Sequence, residues 1–129
     1  MSSETKTYRG NVLFVDDTQV NMMLGSKILR QFGLEVKTAE NGQEAIEHCK
    51  NNTFQLIFMD LEMPELGGLA AAKTIREKKL SYAPIFALTG NDGESIRQLC
   101  RAAHMNGFIA KPIKKEKLAE VLAKVFHHE

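Results

Sequence analysis

Five polar side chains stand directly after short apolar runs, and their types together point to chemistry at phosphorus. Asp16 and Asp17 follow the run 12–15, Asp60 follows 56–59, Thr89 follows 85–88 and Lys111 follows 108–110. Three carboxylates brought together cannot all stay ionised without cost, because each raises the pKa of the others unless a cation neutralises them. Magnesium suits such a set: it takes oxygen ligands, few of them from protein, and keeps several waters. On this reading Asp17 and Asp60 are direct ligands, Asp16 binds through water, and the backbone carbonyl of Glu62 completes the protein's share. Zinc lacks His or Cys partners here. Lys111 adds a point charge and Thr89 a hydroxyl on the side of Asp60 away from the metal. An aspartate in that setting is a nucleophile toward phosphorus, forming an aspartyl phosphate, with the protein supplying position and charge balance.

The elements that must position these residues follow from periodicity. The runs 12–15, 36–39, 56–59, 85–88 and 108–110 alternate with segments of helical period, and most are too continuous for half-exposed strands, which predicts buried parallel strands. Val20, Leu24, Ile28 and Phe32 recur every fourth residue and predict a first helix with a buried stripe ending before Gly33. Ala45, Ile46 and Cys49 mark a second helix after Asn41 and Gly42. Leu69, Ala72 and Ile75 mark a third after Gly67 and Gly68. Ile96, Leu99, Cys100 and Ala103 mark a fourth. Leu118, Val121, Leu122 and Val125 mark a fifth, opened by the solvated turn 114–117. Right-handed crossovers then give a doubly wound five-stranded α/β sheet, strand order 2-1-3-4-5, with helices on both faces. All five polar residues fall at strand carboxyl ends, the edge where open parallel sheets bind ligands. Glu40 also ends a run, but on a strand outside the switch point, and is read as solvated.

The remaining features exclude more than they assign. A chain of 129 residues is the size of one domain. A formal net charge of +1 gives no field for nucleic acid or a membrane surface. No apolar stretch could span a membrane or serve as a signal peptide. The polar segment 1–9 is expected to be a disordered, frayed end, with the domain proper over 10–129. Cys49 and Cys100 form no spaced motif and fit a reducing cytoplasmic setting. His48, His104, His127 and His128 sit in helical or terminal contexts as solvated residues, so no serine or cysteine triad is available. Met22, Met23, Met59 and Met63 are packing residues. Taken singly, Asp60 or Asp17 is a cap or turn residue, Lys111 a surface lysine and Phe108 plain core. The conjunction at four strand ends is what favours a site.

The chain resembles the receiver domains of two-component response regulators, and especially those attached to hybrid histidine kinases. The resemblance rests on Val15-Asp16-Asp17, Asn21, Glu40-Asn41-Gly42 with Glu44-Ala45, Met59-Asp60 followed by Met63-Pro64, Gly68, Ile75-Arg76, Thr89 and Lys111-Pro112. It implies a flavodoxin-like fold in which Asp60 takes a phosphoryl group, with magnesium, from a phosphohistidine on a histidine kinase or histidine phosphotransfer protein. It implies that Lys111 contacts the phosphoryl group, that Thr89 shifts to bond it, and that Phe108 then changes rotamer. The surface around the fourth helix, fifth strand and fifth helix would then be read by a downstream protein. It also implies a cis bond at Lys111-Pro112 that aims the lysine into the pocket. Such a domain catalyses its own phosphorylation and dephosphorylation rather than turning over an external substrate.

Several positions depart from the commonest pattern of that family. Gly67 stands where an aspartate is frequent, and Gly67-Gly68 is expected to form a flexible turn. Gly90 follows Thr89 where alanine is usual, and the missing methyl is expected to ease access to Asp60. Glu62 and Asn91 occupy positions that tune hydrolysis in the family. Two alternatives belong to other classes. A magnesium phosphatase forming an aspartyl phosphate would want a second acid two residues after its nucleophile, where Glu62 stands, but also a nucleophile on the first strand. A scaffold that is never phosphorylated would not need the intact five-residue set.

Overall fold

The structure is a computed structural model that describes residues 6–63, 66–91 and 93–126. Five strands, β1 (Asn11–Val15), β2 (Glu35–Ala39), β3 (Leu56–Asp60), β4 (Ile85–Thr89) and β5 (Gly107–Ala110), alternate with five helices. These are α1 (Gln19–Gln31), α2 (Gly42–Asn51), α3 (Gly68–Glu77), α4 (Glu94–Ala102) and α5 (Lys115–Val125). All strand pairs are parallel and the order is β2-β1-β3-β4-β5, as expected.

The apolar runs are continuous because both faces of the sheet are covered. Leu13, Val15, Ile57, Met59, Ile85 and Ala87 pack with Ala45, Ile46, Ala72, Ile75 and Cys100, which places α2, α3 and α4 on one face. Val12, Phe14, Leu56, Phe58, Phe86 and Leu88 pack with Leu29, Leu118 and Leu122, which places α1 and α5 on the other. A Cβ at Gly25 would strike the Phe14 ring, so this mid-helix glycine lets α1 approach β1 closely.

Several expectations need correction. The buried face of α1 is Met22, Gly25, Ser26, Ile28 and Leu29, whereas Val20, Met23 and Leu24 are 70%, 69% and 41% exposed. A strict four-residue step advances 40° beyond a full turn each time, so a stripe from Val20 to Phe32 winds off one face. Leu99 on α4 is likewise exposed. The frayed end does not reach Tyr8, which is buried, donates its N–H to the Phe32 carbonyl (2.7 Å) and packs its ring near Phe32 and Phe126. Residues 1–5, Pro64, His127 and His128 lie outside the described residues. β2, an edge strand, is largely exposed, and Lys117, expected in a solvated turn, folds back to donate to the Ala110 carbonyl (2.9 Å).

Candidate functional site

Strand register builds the site. Val15 pairs with Met59, so Asp16 and Asp60 emerge level at the ends of adjacent strands. Both continue the alternation that points Phe14 and Phe58 to the α1/α5 face. Asp60 pairs with Leu88, so Thr89 lies one residue beyond it, and Thr89 pairs with Ala110, so Lys111 lies one residue further still. The five residues therefore form a staggered row along the carboxyl edge of four strands.

Carboxylate oxygens of Asp16, Asp17 and Asp60 lie within 4.8 Å of one another. Asp16 and Asp60 are fully buried while Asp17 is exposed, so the cluster is open on one side. Asp16 Oδ1 accepts the Thr18 N–H (2.9 Å) and Asp60 Oδ1 accepts the Glu62 N–H (2.9 Å). Their Oδ2 atoms are buried without a hydrogen-bond partner among the described residues. Two orphaned carboxylate oxygens beside a third carboxylate form an all-oxygen donor set that a hard divalent cation fits.

Lys111 Nζ stands 3.0 Å from Asp60 Oδ1 and 3.7 Å from Glu62 Oε1. Burial disfavours its charge, but the hydrogen bond and fields of Asp60, with those of Asp16 and Glu62, outweigh that and hold the ammonium above the ordinary lysine range. Burial dominates at Asp60 and raises its carboxyl to about 6, even against the Glu62 N–H and Lys111. The peptide bond between Lys111 and Pro112 is cis, as expected.

Thr89 is buried at the end of β4, its hydroxyl 3.0 Å from the Asn91 carbonyl and 3.3 Å from Glu62 Oε2, while it accepts the Asn91 N–H. Phe108 is half-buried, with the Arg97 guanidinium 4.9 Å over its ring. Gly67 is the extended N-cap of α3 and has an ordinary negative φ. The flexible turn expected at Gly67-Gly68 is instead a close approach: a Cβ at Gly68 would collide with the Asp60 carbonyl oxygen. A Cβ at Gly90 would rest 3.7 Å from both Glu62 oxygens, an ordinary contact, so the missing methyl opens little space. Glu40 and His104 are exposed, in accord with their solvated reading. Sequence reasoning missed the Glu62 carboxylate among the Thr89 and Gly90 donors, and the exposure of Val20, Met23 and Leu24 on α1.

Comparison with known proteins gives the same answer. The hybrid signal transduction histidine kinase B of Dictyostelium discoideum is 40% identical over 115 residues, covering 80% of this chain and 6% of that protein. The chain spans only a small part of such curated relatives, 7% and 17% of the next two. The magnesium-coordinated receiver domain of the sensor histidine kinase PA1611 from Pseudomonas aeruginosa superposes with a TM-score of 0.80 at 31% identity, covering 90% of this chain and 96% of that one. A chain of the co-crystal of the Saccharomyces cerevisiae phosphotransfer protein Ypd1 with the receiver domain of Ssk1 gives 0.88 at 29%, covering 93% and 90%. The model of the response regulator receiver domain matches residues 12–123, nearly the whole sheet and all five strand-end polar groups, and this chain belongs to that family.

Proposed function

We propose that Asp60 is the phosphoacceptor of this receiver domain and takes its phosphoryl group from a phosphohistidine on a histidine kinase or phosphotransfer protein. The observation that carries this is the division of the Asp60 carboxylate. Oδ1 is bonded by Lys111 and the Glu62 N–H, while Oδ2 is orphaned beside Asp16. Asp16, Asp17 and Asp60, with the Glu62 carbonyl, would hold magnesium, which when bound neutralises charge on the carboxylates and phosphoryl oxygens. Asp60 attacks phosphorus, Lys111 balances the incoming negative charge, and the Thr89 hydroxyl reorients from Asn91 toward a phosphoryl oxygen. Phe108 then follows Thr89 inward, changing the α4-β5-α5 surface that a downstream protein reads.

Val20, Met23 and Leu24 on α1, immediately after the Asp16-Asp17 connection, give the phosphodonor an apolar place to dock. Two buried free thiols support a reducing, cytoplasmic setting. No helix among the described residues is long and apolar enough to cross a membrane. The packing of Tyr8 supports a domain that begins at Tyr8 rather than at residue 10.

Incubation with magnesium and acetyl phosphate, followed by intact mass measurement, tests the reading. One phosphate adduct is expected on the wild type and none on Asp60→Ala; no Asp60-dependent adduct overturns it.

A further inference from the structure

Among the described residues, the last backbone hydrogen bond joining β4 to β5 runs from the Lys111 N–H to the Thr89 carbonyl at 2.8 Å. Bonds at strand ends open readily, and β5 is an edge strand with no neighbour on its outer side. Successive residues of a strand turn their backbone groups to opposite sides, so with Lys111 turned toward β4 the Ala110 carbonyl faces the open edge. Lys117 closes that edge, its Nζ donating to the Ala110 carbonyl at 2.9 Å. The contact also accounts for an oddity of the sequence. A lysine in the first turn of a helix opposes the helix dipole, and Lys114, the N-cap of α5, supplies no side-chain cap.

The Ala110 carbonyl and the Lys111 N–H belong to one peptide unit, so Lys117, that peptide and the Thr89 carbonyl form a continuous chain of hydrogen bonds. A cation at one end polarises the peptide and strengthens the bond at the other. We propose that Lys117 is a positioning residue: it clamps the end of the β4–β5 ladder and thereby fixes the point from which the Lys111 side chain reaches Asp60. Buried Ile113 and Leu118 anchor the same connection in the core independently of that clamp. Loss of the Lys117 ammonium therefore loosens the departure point of Lys111 without unfolding the connection. The inference rests on the phosphoacceptor reading of Asp60.

Hydrogen exchange of the Lys111 amide reads the clamp without any phosphodonor. In Lys117→Met, which keeps the apolar stem, this amide is expected to exchange about 3- to 10-fold faster, the worth of one net hydrogen bond. Lys117→Arg keeps a cationic donor and is expected to restore protection. Lys115→Met removes the same charge from the same helical turn, but its ammonium lies over the Phe32 ring, and exchange at Lys111 is expected to stay unchanged. Transfer from acetyl phosphate with magnesium reads the consequence. An Asp60 oxygen forms a bond to phosphorus, the donor's bridging P–O bond breaks, and its electron pair leaves on acetate with no net proton transfer. This transfer is expected to slow about 3- to 10-fold in Lys117→Met and to recover in Lys117→Arg. In a Lys111→Ala background, Lys117→Met is expected to slow it no further, because nothing is left to position.

Unchanged exchange at Lys111 in Lys117→Met, equal acceleration by Lys115→Met, or full slowing that persists in the Lys111→Ala background would each overturn the Lys117 proposal while leaving Asp60 as acceptor. Absence of an adduct in both wild type and Lys117→Arg would overturn the acceptor reading itself, and the proposal with it.

Discussion

Lys111 reaches from the end of β5 past β4 to set its Nζ 3.0 Å from Asp60 Oδ1 on β3, yet its pull downward on the Asp60 carboxyl is outweighed by burial, which raises it to about 6. Desolvation wins because the carboxylate is fully buried while the lysine is partly in water. The folded protein therefore stores an unfavourable charge at the carboxylate proposed as phosphoacceptor.

That charge makes stability depend on pH in a definite direction. The Asp60 carboxyl is raised from 3.8 to about 6, so the folded state holds the proton more tightly than the unfolded chain. Its contribution to stability is present at low pH and is lost as pH rises from about 4 through about 6. In chelator at neutral pH, Asp60→Asn is expected to be more stable than wild type by on the order of 2 kcal/mol. Urea unfolding should show that gap close near pH 4 and narrow at neutral pH when magnesium is added.

Gly68 offers a second test, since a methyl there meets backbone rather than a side chain that can move. Gly68→Ala is expected to cost about 1–3 kcal/mol and to slow phosphorylation, because α3 must retreat from the Asp60 carbonyl. Gly67→Ala, whose Cβ would lie 3.6 Å from the nearest atom, is expected to be tolerated. Thermal unfolding and acetyl phosphate labelling of both variants check the pair.

Arg97 holds Phe108 from the α4 side. An exposed cation–π contact is worth about 0.5–1 kcal/mol, so Arg97→Ala is expected to raise the population of the inward Phe108 rotamer roughly two- to fivefold. Side-chain NMR couplings of Phe108 in the unphosphorylated protein measure it directly. An unchanged population would show that packing against α4, not the guanidinium, sets the rotamer.

On α1, Met23→Glu is expected to weaken docking of a phosphohistidine donor at least about tenfold, roughly 1.4 kcal/mol. The same variant should take phosphate from acetyl phosphate at the wild-type rate. Comparing the two donors separates a docking defect from a damaged pocket.

Much of this was legible in the residue order, for reasons that particular residues show. Asp16, Asp60, Thr89 and Lys111 each interrupt an apolar run, and a parallel sheet brings the ends of neighbouring runs together. The start of α2 was legible to within a residue of Gly42, but its cap was not read: Asn41 accepts the Glu44 N–H, and the Glu44 carboxylate accepts the Glu40 N–H one residue before the cap. The exposed face of α1 was not legible, because Val20 and Leu24 have the same composition and spacing as core residues. Tyr8 was missed because its ring partners Phe32 and Phe126 lie far along the chain. The Glu62 contact depends on a side-chain rotamer, which spacing does not encode.

The one-residue stagger from Asp60 to Thr89 to Lys111 means that the pocket and the core are measured by the same ruler. Sliding any strand by a single position would send its apolar side chains to the opposite face and carry its polar end residue away from the others. Substitutions that preserve the packing of Phe58, Leu88 and Ile109 thereby preserve the alignment of Asp60, Thr89 and Lys111, so the proposed chemistry inherits the all-or-none character of folding instead of eroding by degrees.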